Sequence, residues 1–563
     1  MASSRSSSNE FHDETVLLGD NRDDALPPPR PGLTRAQAFN LYLSHALSTW
    51  NARGYEFAAI LFTAAAYPDT LVAAALRMII IYIAMILFSS SVGQWVERSP
   101  NRLRTLLSTI ICNRASVILG SFVWLLILSQ ENLVTGGDSL AATPPRFALP
   151  RNDALKGIVF AVAVAFGIIE RLSASGNLIS MERDWVVTIA GQAGHPYDLT
   201  NLNAVMRRID LVCKLMSPIL ISIVISATGS VRVGVLYTGL GSLVSIPIEL
   251  LSAKGVWNGS IVLQEPKPVP IPRPPIATSG ESRFRITSWL SGLRNYLQGL
   301  EMYFSSSVWM PSFALAMLHF NMLTWRATFI TYLINIGYSL NTITVARAIG
   351  SVFEISSTVI TPRGIVYLGK TSRHRTASGD ESNISLMHEE TQQEDSVDDA
   401  QTIIGLQRLG LWGMSSQLLN TIPVVLALWV TSSQRNEATT DDIPTLLPRL
   451  TGGFSIGWSL ILFTFLAFSR LGVWVFDLTT QQLTQTLVPK TQRSSFAGVE
   501  NSVVNVFEVL GAGAAIAFPR VEQYRWLAVA SLVGVVLSWC LYAWWVRAQR
   551  GHLVHWEKLG TRR

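Results

Sequence analysis

Charge is scarce in this sequence. Asp, Glu, Lys and Arg together make 15% of its 563 residues, where soluble globular chains carry about 25%. With 49% hydrophobic residues beside it, that shortage excludes an ordinary soluble domain and places the chain among integral membrane proteins. Cysteine is nearly absent: Cys112, Cys213 and Cys540 all lie in apolar segments, which excludes a disulfide framework and a Cys-rich zinc site. The first 37 residues are rich in Ser, Asp and Pro and hold no apolar run, so a cleavable secretory signal is not expected there. No Walker A loop, H-E-x-x-H or complete G-x-G-x-x-G occurs, leaving ATP-driven transport and zincin chemistry without support.

What is present is long apolar runs. Crossing about 30 Å of hydrocarbon takes roughly 20 apolar residues. Twelve segments qualify: 38–66, 70–96, 104–129, 155–182, 203–228, 231–252, 309–335, 340–368, 404–431, 451–482, 494–519 and 523–547. The polar stretch 253–305, with its KPVPIPRPP run, parts them six and six. Runs this long exclude a β-barrel, whose short strands alternate. The expected fold is an all-α membrane protein, with 12 transmembrane helices in two six-helix lobes. Its expected parts are a disordered N-terminus (1–37), a first lobe (38–252), a linker (253–308), a second lobe (309–547) and a tail (548–563). The stretch 376–400 carries eight acids and few apolar residues, so a disordered loop is expected over 370–402. Lys and Arg gather in the N-terminus, the 97–104 loop, the linker, the 363–375 run and the C-terminus. That bias predicts both termini in the cytosol, and accounts for the net charge of +6 without a nucleic-acid partner.

This six-plus-six plan resembles the major facilitator superfamily, and GQWVERSPNRLR (Gly93–Arg104) loosely matches the cytosolic loop of that superfamily. The lobes also echo each other. LSHALSTWNAR in the first span and LHFNMLTWRAT in the seventh both set a His ahead of a Thr-Trp pair, His45 before Thr49-Trp50 and His319 before Thr324-Trp325.

An ionisable group at the bilayer centre costs at least about 2.5–3.5 kcal/mol and persists where it is paired or wet. Arg53, Asp184, Arg207, Asp210, Arg470 and Asp477 suit interhelix ion pairs that lock one state of an alternating-access cycle; the other reading is direct contact with the transported ligand. Glu56 lies near mid-membrane beside Gly54, where the helix is expected to unwind and free its carbonyls. With Asn51 and Asn203, that carboxylate suits a divalent cation; the other reading pairs it with Arg53 or a neighbouring arginine. His45 and His319, the histidines within the spans, either pass protons near neutral pH or hydrogen-bond across helices.

STWNARGYEF, GQWVE, ERDW, NAVMRRID, RLGVWVFDLTTQQL and AGVENSV, in this order, resemble the ferroportins, the iron-export branch of the major facilitators. The resemblance covers about residues 40–250 and 310–545. It implies efflux of ferrous iron from the cytosol by alternating access in exchange for protons, with related metals such as cobalt or nickel carried by some relatives. Iron is then cargo, with no resident cofactor and no enzymatic step expected. In animal ferroportins one metal site is an Asp and a His four residues apart on the first helix. The matching positions are Ala52 and Glu56, in the ARxxEF form of plant-type relatives. A second animal site pairs a Cys on the seventh helix with a His on the eleventh; the matching Ala327 and Gly511 have no metal-binding side chain. Arg326 and Glu508 lie beside them, and an ion pair between these two would close the same gap. Among the Ca²⁺ ligands of animal relatives, Asn203 and Asp210 match while Cys112 replaces a Gln. Cys112, Asn203 and Glu56 together would form a mixed soft and hard site of the kind ferrous iron accepts; the plainer reading is a core cysteine.

Two other classes stay open, a major facilitator for an organic solute and a membrane protein without transport. The expected setting is a monomer in the plasma membrane or, if DETVLL (Asp13–Leu18) acts as an acidic dileucine sorting signal, the vacuolar membrane. Asn258 and Asn383 stand in glycosylation sequons on the predicted cytosolic side, where they should stay bare.

Overall fold

In lipid every backbone donor and acceptor must find its partner inside the protein, and an apolar run does so as a helix. The computed structural model describes residues 33–67, 72–131, 153–192, 195–267, 286–369, 387–437, 456–518 and 520–550, and helices dominate it. The first lobe contains α1 (Arg35–Ala66), α2 (Val72–Arg98), α3 (Arg102–Glu131), α4 (Asp153–Ile179), α5 (Leu199–Thr228) and α6 (Val231–Gly259). After α4 the chain continues through a π-helical turn, Ser180–Trp185, to Ile189. An amphipathic helix, α7 (Ile286–Ser305), leads to α8 (Trp309–Met317) and α9 (Ala327–Asn335), and then to α10 (Leu340–Gly369), α11 (Met387–Glu437), α12 (Ile456–Leu487), α13 (Arg493–Ala517) and α14 (Tyr524–Arg550).

Ten helices among the described residues are long and apolar enough to cross a membrane. The two expected spans that fall short are the first and the seventh. α1 has the length, 32 residues, but a polar middle. The seventh span breaks, with a 3₁₀ turn at Leu318–Phe320 and non-helical backbone up to Arg326 separating α8 from α9.

Each lobe packs around its own apolar clusters, one toward each membrane face. In the first lobe, Leu106, Trp185 and Val256 centre one and Phe62, Trp124 and Val235 the other. Tyr303, Phe476 and Tyr542, with Phe329, Leu428 and Tyr524, do the same in the second. Outward-facing Phe122, Val244, Leu460 and Trp544 are more than half exposed, a belt that would mark a soluble protein for aggregation and suits lipid tails. The most extensive joins between the lobes are α2 with α13 and α5 with α10. At the first pair a Cβ on Gly93 would lie 2.8 Å from the Gly498 Cα, so only glycine lets these backbones cross.

Three expectations need correction. α1 runs without a break through Gly54. The glycine serves close approach instead: a Cβ there would meet the Ser217 Oγ of α5 at 2.7 Å. The acidic stretch is not wholly irregular, because α11 begins at Met387; Glu and Gln are good helix formers, and acids favour a helix N-terminus. The N-terminal boundary also moves, since α1 starts at Arg35 behind a Thr34–Gln37 capping box that satisfies its first free N–H groups. The DETVLL motif, Asn383 and residues 551–563 lie outside the described residues.

Candidate functional site

A row of six charges of alternating sign runs along the inner face of the first lobe. From the second lobe, Asp477 on α12 meets Arg207 on α5 at 2.7 Å, and Arg207 lies 3.6 Å from Asp210. Arg53 on α1 grips Asp210 through Nε at 3.1 Å and Nη2 at 2.9 Å. Arg53 also reaches Glu56 at 3.4 Å, and Arg171 on α4 meets Glu56 from the other side at 3.3 Å. Three acids and three arginines leave the row neutral, so membrane burial is tolerable. Its exposure changes along its length: the side chain of Glu56 is 44% exposed, those of Asp210 and Asp477 only 9% and 17%.

The buried end of the row belongs to a lock between the lobes. The π-turn at Ser180–Trp185 inserts an extra residue at the end of the fourth span, as such bulges often do at functional sites. It turns three successive residues to separate sets of partners. The Glu182 carbonyl accepts from Gln485 at 2.7 Å. Arg183 holds Glu500 at 2.8 Å and also donates to Thr484. Asp184 turns back to Arg102 at 2.8 Å and to Lys267 at 2.6 Å. Asn203 exchanges hydrogen bonds with Gln485 at 2.5 and 3.2 Å, and Glu97 accepts from the Ser494 N–H at 2.6 Å. These contacts gather at the end of the molecule bearing the 99–101, 190–198 and 488–492 connections.

Across the seam, the break in the seventh span builds a second charged group. Glu508 on α13 receives Arg326 through both guanidinium nitrogens at 2.6 Å each, and its Oε1 lies 2.9 Å from His319 Nδ1. His319 and Arg326 are 38% and 37% exposed, Glu508 13%. The break is held by side chains. Asn321 Oδ1 accepts from the Leu323 N–H at 2.8 Å, the Met322 N–H donates to Ser531 at 2.9 Å, and the Met322 carbonyl accepts from Tyr524 at 2.8 Å. Arg470, expected to pair, does so with Glu354 at 2.7 Å.

The structure does not bring Glu56, Asn51, Asn203 and Cys112 to one point. Asn51 points into the first lobe, to Ser242 and Ser245 on α6. Asn203 belongs to the lock. Cys112 is exposed, because its neighbours Asn113 and Arg114 take the inward positions, against Glu170 and Glu249. Among the described residues no group of three His, Cys, Asp or Glu side chains is placed to hold a metal. His45 is buried close to the backbone of Met206 on α5, while His319 faces the seam. Sequence reading passed over the uncharged part of the lock: Gln481, Gln482, Thr484 and Gln485 are all buried and bond to Arg207, Thr200, Arg183 and Asn203 of the first lobe. The signal was there, since TTQQLTQ is a polar run inside an apolar span.

Comparison with known proteins agrees with this architecture. The family model Ferroportin1 (FPN1) matches residues 35–369 and 398–535. Solute carrier family 40 member 2 of Arabidopsis thaliana is 25% identical, over 94% of this chain and 93% of its own; ferroportin of Homo sapiens is 22% identical over 91% of each. Among solved structures, a bacterial homologue of iron transporter ferroportin in outward-facing state superposes with TM-score 0.64 at 18% identity, covering 91% of this chain and 100% of that one. The major facilitator proton:xylose symporter XylE gives 0.53 at 10% identity, covering 92% and 95%. A multi-pass membrane protein of two packed lobes with a charged seam, matched by this model over most of its length, belongs to the ferroportin family of transporters.

Proposed function

We propose that the chain exports ferrous iron from the cytosol by alternating access, with Glu56 as the carboxylate that receives the metal. One observation carries this reading. Glu56 is the most exposed of the ion-paired acids in the seam, at 44%, and its arginines stand at 3.3 and 3.4 Å, against 2.7 Å for Asp477 with Arg207 and 2.9 Å for Asp210 with Arg53. A divalent cation arriving there competes with Arg53 and Arg171 for one carboxylate. Arg53 also holds Asp210, and Arg207 holds both Asp210 and Asp477, so charge added at Glu56 redistributes a row that ends in the latch between lobes. Binding is thereby tied to the conformational step, because a ligand shifts an equilibrium only through its difference in affinity for the two states.

The Lys/Arg bias supports the locked end as cytosolic, both termini included. The described state is then the one closed toward the cytosol. The setting proposed is a monomer in the plasma or vacuolar membrane, with protons as counter-ions and no resident cofactor. A second reading, export of an organic solute, draws on the absence of a three-ligand cluster among the described residues.

Quenching of a metal-sensing dye in proteoliposomes separates the two. Fe²⁺ should enter, with Co²⁺, Ni²⁺, Mn²⁺ and Zn²⁺ run alongside, and Glu56→Gln should abolish entry while eluting as folded protein. Unaltered flux in that variant removes Glu56 from the site; no flux of any of these metals favours the organic solute.

A further inference from the structure

Where α5 and α10 join the lobes they also leave a cleft of about 520 Å³, open to the side. That volume is of the size that holds small ligands, roughly 300–1,000 Å³. Its walls are mainly apolar, from Ala204, Val205, Val359, Pro362 and Val366, and it contains two arginines, Arg208 and Arg363. Both are exposed. Arg208 Nε donates to Thr358 Oγ1 at 3.0 Å, and Arg363 Nη1 donates to the Val359 carbonyl of its own helix at 3.2 Å. Among the described residues neither lies within ion-pair distance of a carboxylate, whereas the adjacent Arg207 holds two.

Their depth matters. α5 and α10 are 30 residues each, about 45 Å, against about 30 Å of hydrocarbon. Roughly the outer five residues at each end therefore stand among headgroups. Arg208 follows two and a half turns behind the start of α5, at the locked end, and Arg363 precedes the end of α10 by under two turns. Helical side chains lean toward their own N-terminus. Because α5 begins at the locked end and α10 finishes there, Arg208 leans outward and Arg363 inward, and the two meet near Thr358 and Val359, below the headgroup layer, where an exposed arginine without a carboxylate draws a lipid phosphate down to it.

We propose that this cleft binds an anionic phospholipid of the leaflet at the locked end. Its phosphate is drawn onto Arg208 and Arg363, and an acyl chain runs past Val359 toward the bilayer centre. The Arg208–Thr358 hydrogen bond crosses the lobes, so the lipid fastens α5 to α10 and favours the locked state.

The test uses the purified full chain in detergent micelles and reads the thermal-unfolding midpoint. The probes are dioctanoyl-phosphatidylglycerol, dioctanoyl-phosphatidylcholine and inorganic phosphate at equal concentration. Phosphatidylglycerol should raise the midpoint and the other two should not. Arg208→Gln and Arg363→Gln should each weaken phosphatidylglycerol binding about tenfold, the scale of one lost charge-assisted contact. Val359→Trp, which keeps both arginines and fills the apolar wall, should abolish the response; this variant covers the case in which the arginine variants unfold. An equal shift with phosphatidylcholine means the headgroup is not read, and an equal shift with phosphate means a free-anion site. A full response in both the arginine pair and Val359→Trp means the lipid binds elsewhere. Each of these overturns the proposal.

Discussion

The first span of each lobe begins with the same rhythm, a His ahead of a Thr-Trp pair, and the two then part. α1 stays helical through Trp50, Asn51, Arg53 and Glu56, so its polar groups work only through side chains. The seventh span stops at Phe320 and restarts at Ala327, which frees backbone groups as well. His45 is consequently buried against α5, while His319 stands in the seam beside Glu508. The contrast teaches that a break in a membrane helix depends less on the breaking residue than on what catches the freed groups. α1 has the glycine and does not break. The seventh span has neither Gly nor Pro between Trp309 and Asn335 except Pro311 in the first turn of α8, and it breaks where Asn321, Ser531 and Tyr524 accept or supply the missing bonds.

The sharpest way to break this comparison is at Gly54. If the glycine serves contact and not hinging, Gly54→Val drives α1 off α5, where Ser217 and Ile221 lie 2.7 and 3.3 Å from the new Cβ. Overpacking of this kind costs about 1–3 kcal/mol, and the added bulk at a helix crossing puts this case at the upper end. The variant should lose most monodisperse protein on size exclusion. Gly511→Ala, with its nearest atom at 3.5 Å, should behave as wild type. A well-folded Gly54→Val protein with lowered flux would restore the hinge.

Next in size comes the break itself. Ser531→Ala with Tyr524→Phe removes two buried hydrogen bonds to Met322, each worth about 0.5–1.5 kcal/mol. Hydrogen exchange of the backbone amides over 318–326 should accelerate, with the α1 amides unaffected. Unchanged exchange in that segment would mean that the break is set by the local sequence.

The spans were legible because lipid asks one thing of a sequence, about twenty apolar residues in a row, and the division six and six followed from the polar linker. Arg326 with Glu508 was legible through the resemblance, since the two lie beside Ala327 and Gly511, the positions that match the second animal metal site. What was hidden was third-party. Ser531 and Tyr524 are more than two hundred residues from the backbone they hold, and no local pattern announces them. The π-turn was hidden differently, because one extra residue in SMERDW leaves composition untouched while turning Glu182, Arg183 and Asp184 to separate partners. That Asn51 and Cys112 do not stand with Glu56 has a simpler reason: their proximity to it was judged without knowing which side of α1 or α3 each occupies.

A smaller effect tests whether Arg326 and Glu508 act as a pair. Arg326→Glu and Glu508→Arg alone should each lower the unfolding midpoint and the flux. Together they should recover part of both, leaving a coupling energy of about 1 kcal/mol in a double-mutant cycle, reduced by the 37% exposure of Arg326. Additive losses would show that the contact is incidental.

The smallest effect concerns the two histidines, and it separates the two spans by chemistry. Gln replaces His319 with a group that can still donate to Glu508 Oε1, so His319→Gln should fold normally and keep its flux at neutral pH. Only the proton movement that accompanies metal flux, read with a pH-sensing dye inside the liposomes, should fall, because an amide does not pass protons as an imidazole does. His45→Gln makes the same chemical change in a buried position that does not face the seam, so any change there should fall on the unfolding midpoint with proton movement retained. If the two variants altered proton movement alike, the broken span would have no special part in proton handling, and the difference between the lobes would be one of packing alone.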